Sequence, residues 1–306
     1  LYFKEYNFTF NTVYVLSNSP YLPTYALNHL KKKKIPIIHN QNGVFYPSWY
    51  SGDYLAKNKI MQNQYQKADY IFFQSIFCKQ IAEKFLGKSL CESEVLYNSV
   101  DTSFFKPGNI KLENDNFIFL ITGKFYSHLF YSLECVILAI EIAKKNNLNF
   151  SFRIAGIIDL KTQKKIIDLI NKRNLKDKVE ITGPYKQENA NKVYQKVNAF
   201  VYMSHNAPCP NSVIEALSSG LPVLYSNSGG IPEIVGDECG IGIDTKDSFE
   251  NPTSPSPQMI YEGMLEIIKN HSLMSYNSRE RAVKFFDIAN WILKHKQIFK
   301  KLKKNV

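Results

Sequence analysis

The chain has 306 residues, 44% of them hydrophobic, enough to bury a sizeable core and to form two domains in series, which excludes a disordered chain. No apolar run approaches the roughly 20 residues of a membrane-spanning helix, and residues 1–10 lack the basic region followed by an apolar stretch that marks a signal peptide. The formal charge of +11 leaves three partner classes open, nucleic acid, an anionic membrane surface and phosphorylated ligands, beside a plain compositional bias toward lysine.

Taken in chain order, short β-branched or aromatic runs alternate with stretches of helical period, the pattern of parallel sheets covered by helices. Strands are predicted at 12–17 (TVYVLS), 35–39 (IPIIH), 69–74 (DYIFFQ) and 94–98 (EVLYN), with helices at 25–34, 55–67 and 76–85. A long aromatic loop at 40–54, carrying Phe45, Tyr46, Trp49 and Tyr50, suits either sugar stacking, a membrane interface or cover for its own domain. The polar stretch 100–116, interrupted by Pro107-Gly108, reads as a linker. Alternation then restarts, with strands at 117–122, 150–156, 178–183, 199–204 and 222–226 and helices at 133–145 and 161–171. NPTSPSP (251–257) is a loop, and 259–269 and 278–303 are helical with no strand after them. The expectation is an α/β protein of two doubly wound parallel-sheet domains, the first at 1–105, the second at 106–285, and a terminal helix at 286–306 that returns to the first. With about four strands against at least five, the first domain reads as incomplete at its N-terminus.

The five cysteines are odd in number and never form C-x-x-C, which argues against a disulfide framework or a zinc site and fits a reducing cytoplasm. The six histidines are scattered and no D-x-D pair occurs, so no metal site is predicted. The charge is accompanied by no helix-turn-helix, zinc pattern or RNA-binding aromatic motif, so no nucleic-acid partner is expected.

Chemistry concentrates at 208–236, PCPNSVIEALSSGLPVLYSNSGGIPEIVG. Asn211 or Ser212 is expected to cap a helix whose Val213, Ile214 and Leu217 recur at core spacing, ended by Gly220 and Pro222. The next strand runs into Gly229-Gly230, whose missing side chains would let backbone amides approach a ligand, and Pro232 opens another helix. Helix N-termini after strand ends favour a diphosphate. Glu215, a carboxylate on an otherwise apolar helix face, is either a dipole partner or an acceptor for both hydroxyls of a ribose.

This segment resembles the donor-binding signature of glycosyltransferase family 4, the group 1 set of GT-B enzymes. There a second glutamate precedes A-x-x-x-G-x-P-V, here Glu215 before ALSSGLPV, and a G-G-x-x-E turn follows, here Gly229, Gly230 and Glu233. NSVDTSFF at 98–105, FRIAG at 152–156 and VEITGPY at 179–185 extend the likeness along the chain. The resemblance implies a GT-B fold with two Rossmann-like domains facing a cleft and a retaining transfer with no protein nucleophile, metal or cofactor. The implied partners are a UDP- or GDP-linked sugar donor and a glycan or lipid-linked acceptor in cell-surface polysaccharide assembly, with peripheral contact at an anionic inner membrane face.

The resemblance also places donor contacts at Gly123, Lys124, His128, Asn211, Ser212, Val213, Glu215, Gly229 and Gly230, and makes His39 and Asn42 the acceptor-side catalytic candidates. Three positions depart from the family pattern: Ala207 stands where the first glutamate falls, Leu129 where a lysine falls with His128 beside it, and Asn42-Gly43 where the family has His-Gly.

Overall fold

The computed structural model describes residues 10–19, 21–108, 116–246 and 248–303. It divides into two compact units: residues up to Tyr97 together with those from Ala289 on, and Asn98–Ile288.

The first unit alternates β1 (Val13–Leu16), α1 (Thr24–Lys32), β2 (Ile37–Gln41), α2 (Tyr54–Gln66), β3 (Tyr70–Phe73), α3 (Ile76–Leu86) and β4 (Glu92–Val95). All pairings are parallel in the order β1-β2-β3-β4. β2 and β3 are buried along their whole length, which is why they read as unbroken apolar runs: both faces of the sheet are covered. Ile37 packs with Leu27 and Leu30 of α1 on one face. Ile38 and Phe72 pack on the other with Ile298 and Leu302 of the terminal helix, α11 (Ile288–Lys303). Asp53 and Ser75 cap α2 and α3 through the N–H groups of Ala56 and Cys78.

The second unit contains β5 (Phe117–Phe125), α4 (Phe130–Lys145), β6 (Phe150–Ile158), α5 (Leu160–Lys172), β7 (Val179–Gly183), α6 (Ala190–Tyr194), β8 (Ala199–Tyr202), α7 (Asn211–Ser218), β9 (Val223–Ser226), α8 (Ile231–Val235), β10 (Gly240–Ile243), α9 (Pro257–Lys269) and α10 (His271–Phe285). Its six parallel strands run β10-β9-β8-β5-β6-β7, so the chain builds outward one way from β5 and then restarts on its other side at β8. That reversal opens a crevice at the carboxyl ends of β5 and β8, where ligands of open α/β sheets bind. The core beneath is dense: Phe119, Leu133, Ile140, Phe152 and Ile154 are completely buried. At the β5–β6 contact Gly123 faces Gly156, and a Cβ on Gly156 would lie 2.0 Å from Gly123 O at a φ of +127°.

Four expectations need correction. The segment 98–105 belongs to the second unit: Val100 forms a parallel bridge with Asp287, its N–H donating to Phe286 O at 2.8 Å, and Phe105 packs edge-on against Tyr194. The remainder of the predicted linker, 109–115, lies outside the described residues. The same bridge splits the predicted 278–303 helix in two, because Asp287 leaves helical bonding to pair with Val100. β10 has no counterpart among the predicted strands, since Gly-Ile-Gly-Ile has little strand propensity; Gly240 is required there, a Cβ falling 2.0 Å from Val223 O. Finally, β4 starts two residues before the predicted strand.

Candidate functional site

Both banks of the crevice carry residues singled out by the sequence. On one bank β5 ends in Gly123 and Lys124, both exposed, and Lys124 makes no hydrogen bond or ion pair among the described residues. His128 follows in a single 3-10 turn (Ser127–Leu129), exposed and stacked on Tyr126 with ring centroids 6.2 Å apart. Leu129, half-buried, occupies the position before α4 and offers no charge.

On the other bank, α7 begins directly after the β8 loop. Its N-cap is Pro210, not Asn211 or Ser212, and no side chain caps it. Asn211 is instead the first helical residue, its Oδ1 accepting from Asn98 Nδ2 at 2.8 Å. Asn98 Nδ2 also donates to Cys209 O at 3.1 Å, so one side chain fixes the loop that feeds the helix. The N–H groups of Asn211 and Ser212 have no partner among the described residues, leaving two donors at a helix N-terminus. Val213 is corrected as a ligand contact: its side chain is fully buried and its N–H is donated to Pro210 O.

The glycine pair also needs a different account. Gly229 has φ +69°, and a Cβ there would lie 2.5 Å from Ala207 O. Gly230 donates its N–H to the same oxygen at 2.9 Å. The two glycines therefore clamp the β9–α8 turn onto the β8–α7 loop, and the Gly230 amide is committed to the protein and not free for a ligand. This close approach occurs at Ala207, the position of the missing glutamate.

Glu215 lies one turn into α7, half-buried, on the wall of an open depression of about 390 Å³ shared with Asp101, Phe104, Gln187, Glu188 and Asn211. Its Oε2 accepts a 2.6 Å hydrogen bond from the Tyr194 hydroxyl. Burial raises the Glu215 pKa above the ordinary carboxylate value, with that hydrogen bond pulling the other way. The arrangement can offer cations and helix amides to a diphosphate and, a helical turn deeper, a carboxylate to vicinal hydroxyls.

Two contributors had no sequence signal. Arg279 of α10 donates to Phe105 O, Ser218 O and Thr102 O at 2.7 to 3.0 Å, tying the 98–105 segment to the end of α7, yet in sequence it is one basic residue on an amphipathic helix. Asn98 was part of the NSVD string, but its reach to Cys209, 111 residues away, is a tertiary fact.

In the first unit the two acceptor-side candidates part company. His39 is completely buried in β2, its Nε2 2.8 Å from Gln41 Oε1, and burial pushes its pKa down to about 4. It is a neutral core residue with no path to an acceptor hydroxyl. Asn42 sits half-buried just past the carboxyl end of β2, its N–H donating to Ser17 Oγ at 2.8 Å. Among the described residues no group of three or more His, Cys, Asp or Glu side chains is placed to hold a metal ion. None of the described helices is long and apolar enough to cross a membrane.

The family model "Glycosyl transferases group 1" matches residues 104–284, the whole crevice-bearing unit. The chain belongs to this family. Within the group 1 family it is 26% identical over 183 residues to a phosphatidylinositol N-acetylglucosaminyltransferase subunit of Arabidopsis thaliana, covering 59% of this chain and 40% of that protein. It is 34% identical over 164 residues to an uncharacterized glycosyltransferase, MJ1059, of Methanocaldococcus jannaschii, covering 46% of this chain and 39% of that one. The chain thus spans well under half the length of these relatives. Among solved structures, Anabaena Alr3699/HepE in complex with UDP superposes with a TM-score of 0.76 at 16% identity, covering 95% of this chain and 79% of that one. The fold of this group 1 member is accordingly GT-B: α/β, with parallel-sheet domains of four and six strands.

Proposed function

We propose that this protein is a retaining glycosyltransferase of family 4 that moves a sugar from a UDP- or GDP-linked donor to a glycan or lipid-linked acceptor in cell-surface polysaccharide assembly. The observation that carries the reading is the pairing, across one strand-order reversal, of Gly123-Lys124 at the end of β5 with the α7 N-terminus and Glu215. The bound UDP of the Anabaena neighbour favours a uridine donor. Work would proceed on the cytoplasmic face of a membrane that the basic surface meets peripherally.

In this mechanism the acceptor oxygen attacks the anomeric carbon from the face that the diphosphate leaves. The carbon–phosphate oxygen bond breaks as the new glycosidic bond forms, and the departing diphosphate takes the acceptor's proton. Such a step asks the protein for orientation and for stabilisation of the charge developing on the diphosphate, without nucleophile, metal or cofactor. Lys124 and the free amides of Asn211 and Ser212 supply that charge stabilisation, and Glu215 anchors the ribose.

Incubation with a panel of UDP- and GDP-sugars, followed by mass-spectrometric detection of released nucleoside diphosphate, tests the reading. Release above a Lys124→Met control is expected. Binding without release for every donor would favour a second reading, a catalytically silent nucleotide-sugar-binding protein, for which Ala207 and Leu129 are the specific grounds. Failure to bind any nucleoside diphosphate would overturn both.

A further inference from the structure

Glu215 forms no ion pair among the described residues, although its burial makes a bare carboxylate costly. What holds it is a neutral hydroxyl. Tyr194 is completely buried, its ring edge-on to Phe105 at 5.6 Å and tilted against Phe200 at 5.9 Å, so its hydroxyl is fixed in space. That hydroxyl lies 2.6 Å from Glu215 Oε2 and 2.8 Å from Thr122 Oγ1. An ionised carboxylate only accepts, so the single tyrosine proton goes to Glu215, and Thr122 must donate to the tyrosine oxygen. The relay therefore runs one way, from Thr122 through Tyr194 to Glu215, each bond polarising the next. Thr122 immediately precedes Gly123 and Lys124, so the relay joins the strand of the diphosphate bank to the carboxylate of the ribose bank.

A guanidinium or ammonium in place of Tyr194 would hold Glu215 more strongly but would neutralise it and occupy its lone pairs. A tyrosine orients the carboxylate through one oxygen and leaves its charge and its second oxygen for a ligand. The other titratable groups facing this cluster are Tyr185 after β7, Asp101 on the 98–105 segment and Glu188 in the 3-10 turn before α6, none of them a cation. We propose that Tyr194 is the positioning residue for ribose recognition, orienting Glu215 through a hydroxyl relay that begins at Thr122. This rests on the ribose role of Glu215 proposed above.

The test compares wild type, Tyr194→Phe and Thr122→Val by calorimetric titration with UDP and GDP and their 2′,3′-dideoxy forms between pH 5 and pH 8. Tyr194→Phe keeps the ring packing and removes only the hydroxyl. The expected result is a loss of ribonucleotide affinity on the order of five- to tenfold at pH 7, as for one hydrogen bond to a charged group reached indirectly, with dideoxy binding unchanged. The acid limb of ribonucleotide binding should move up by about one pH unit, because a bond that favours the ionised carboxylate is gone. Thr122→Val should move the limb in the same direction by less.

Equal wild-type affinity for the ribo and dideoxy ligands would sink the ribose role itself. Ribose discrimination in wild type, combined with an unmoved acid limb in Tyr194→Phe, would overturn the positioning role alone. If Tyr194→Phe fails to fold, Thr122→Val carries the test, and an unshifted limb there has the same force.

Discussion

Replacing Glu215 with glutamine should separate binding from stability. In binding, an ionised carboxylate that already accepts from Tyr194 retains lone pairs for both ribose hydroxyls, whereas the amide has one acceptor oxygen, no charge and a donor pointing at the ligand. Hydrogen bonds to charged groups contribute about 1.5–3 kcal/mol, so the nucleotide should weaken by roughly ten- to a hundredfold. Stability should respond in the opposite sense. The folded-state pKa of Glu215 is raised above its unfolded value by burial. A group shifted that way favours folding below the unfolded pKa and loses that contribution as pH rises through the folded pKa, so at neutral pH the ionised side chain is a net cost. Glutamine removes the charge while its oxygen can still accept from Tyr194. Titration calorimetry with the nucleoside diphosphate and its 2′,3′-dideoxy form, beside thermal unfolding at pH 7, should show weaker ribonucleotide binding, unchanged dideoxy binding and an unfolding temperature equal to or above that of wild type. A variant that loses both ligands equally, or melts several degrees lower, would refute the reasoning and make Glu215 a structural residue.

Lys124→Met should reduce nucleoside-diphosphate affinity by about 1.5–3 kcal/mol while leaving the nucleoside almost untouched; equal losses for both in the same titration would remove Lys124 from the diphosphate bank. Gly156→Ala places a Cβ against Gly123 O in a backbone conformation that non-glycine residues adopt at a cost of about 1–3 kcal/mol, so both the melting temperature and diphosphate affinity should fall, and a variant with wild-type values would show that β5 and β6 can spread freely. His39, with its pKa held near 4 against an unfolded 6.5, contributes stability that is present above pH 6.5 and is lost as pH falls toward 4. Denaturant unfolding across that window should therefore show a decline that is shallower in His39→Leu, and equal slopes would mean that the imidazole takes up its proton without leaving the core.

Much of the second unit was legible because parallel strands covered on both faces write continuous apolar runs, as in 117–122 and 150–156, and because Gly and Pro punctuate the helices between them. The strand that escaped, Gly240–Ile243, is held by close backbone approach to β9, a cause that leaves only glycines behind as a sign. Glu215 stood out as a charge on an apolar helix face. The Gly229-Gly230 turn stood out too, but for a different reason than its glycines suggest, since whether a glycine admits a ligand or a neighbouring loop depends on what lies across from it. His39 shows the same limit: in sequence a histidine three residues before Asn42-Gly43 is equally a strand residue or a catalytic one, and only its burial decides. Tyr194 and Arg279 act across 21 and 61 residues to reach Glu215 and Ser218, separations at which periodicity carries no information.

The strand-order reversal also has a kinetic side. β5 and β8 are neighbours in the sheet, joined by the bond from Ile118 N–H to Asn198 Oδ1, but these residues are 80 apart in the chain, and β6, β7 and three helices are made between them. The diphosphate bank and the ribose bank therefore cannot meet until that long loop closes, and loop closure over such separations is the slow step in folding parallel sheets. A half-folded chain can present Lys124 or Glu215 but not both, so nucleotide affinity emerges only at the end of folding. Ligand present during refolding should accordingly leave the early rates unchanged and slow unfolding, making the bound donor a brake on the loss of this unit and not a template for its formation.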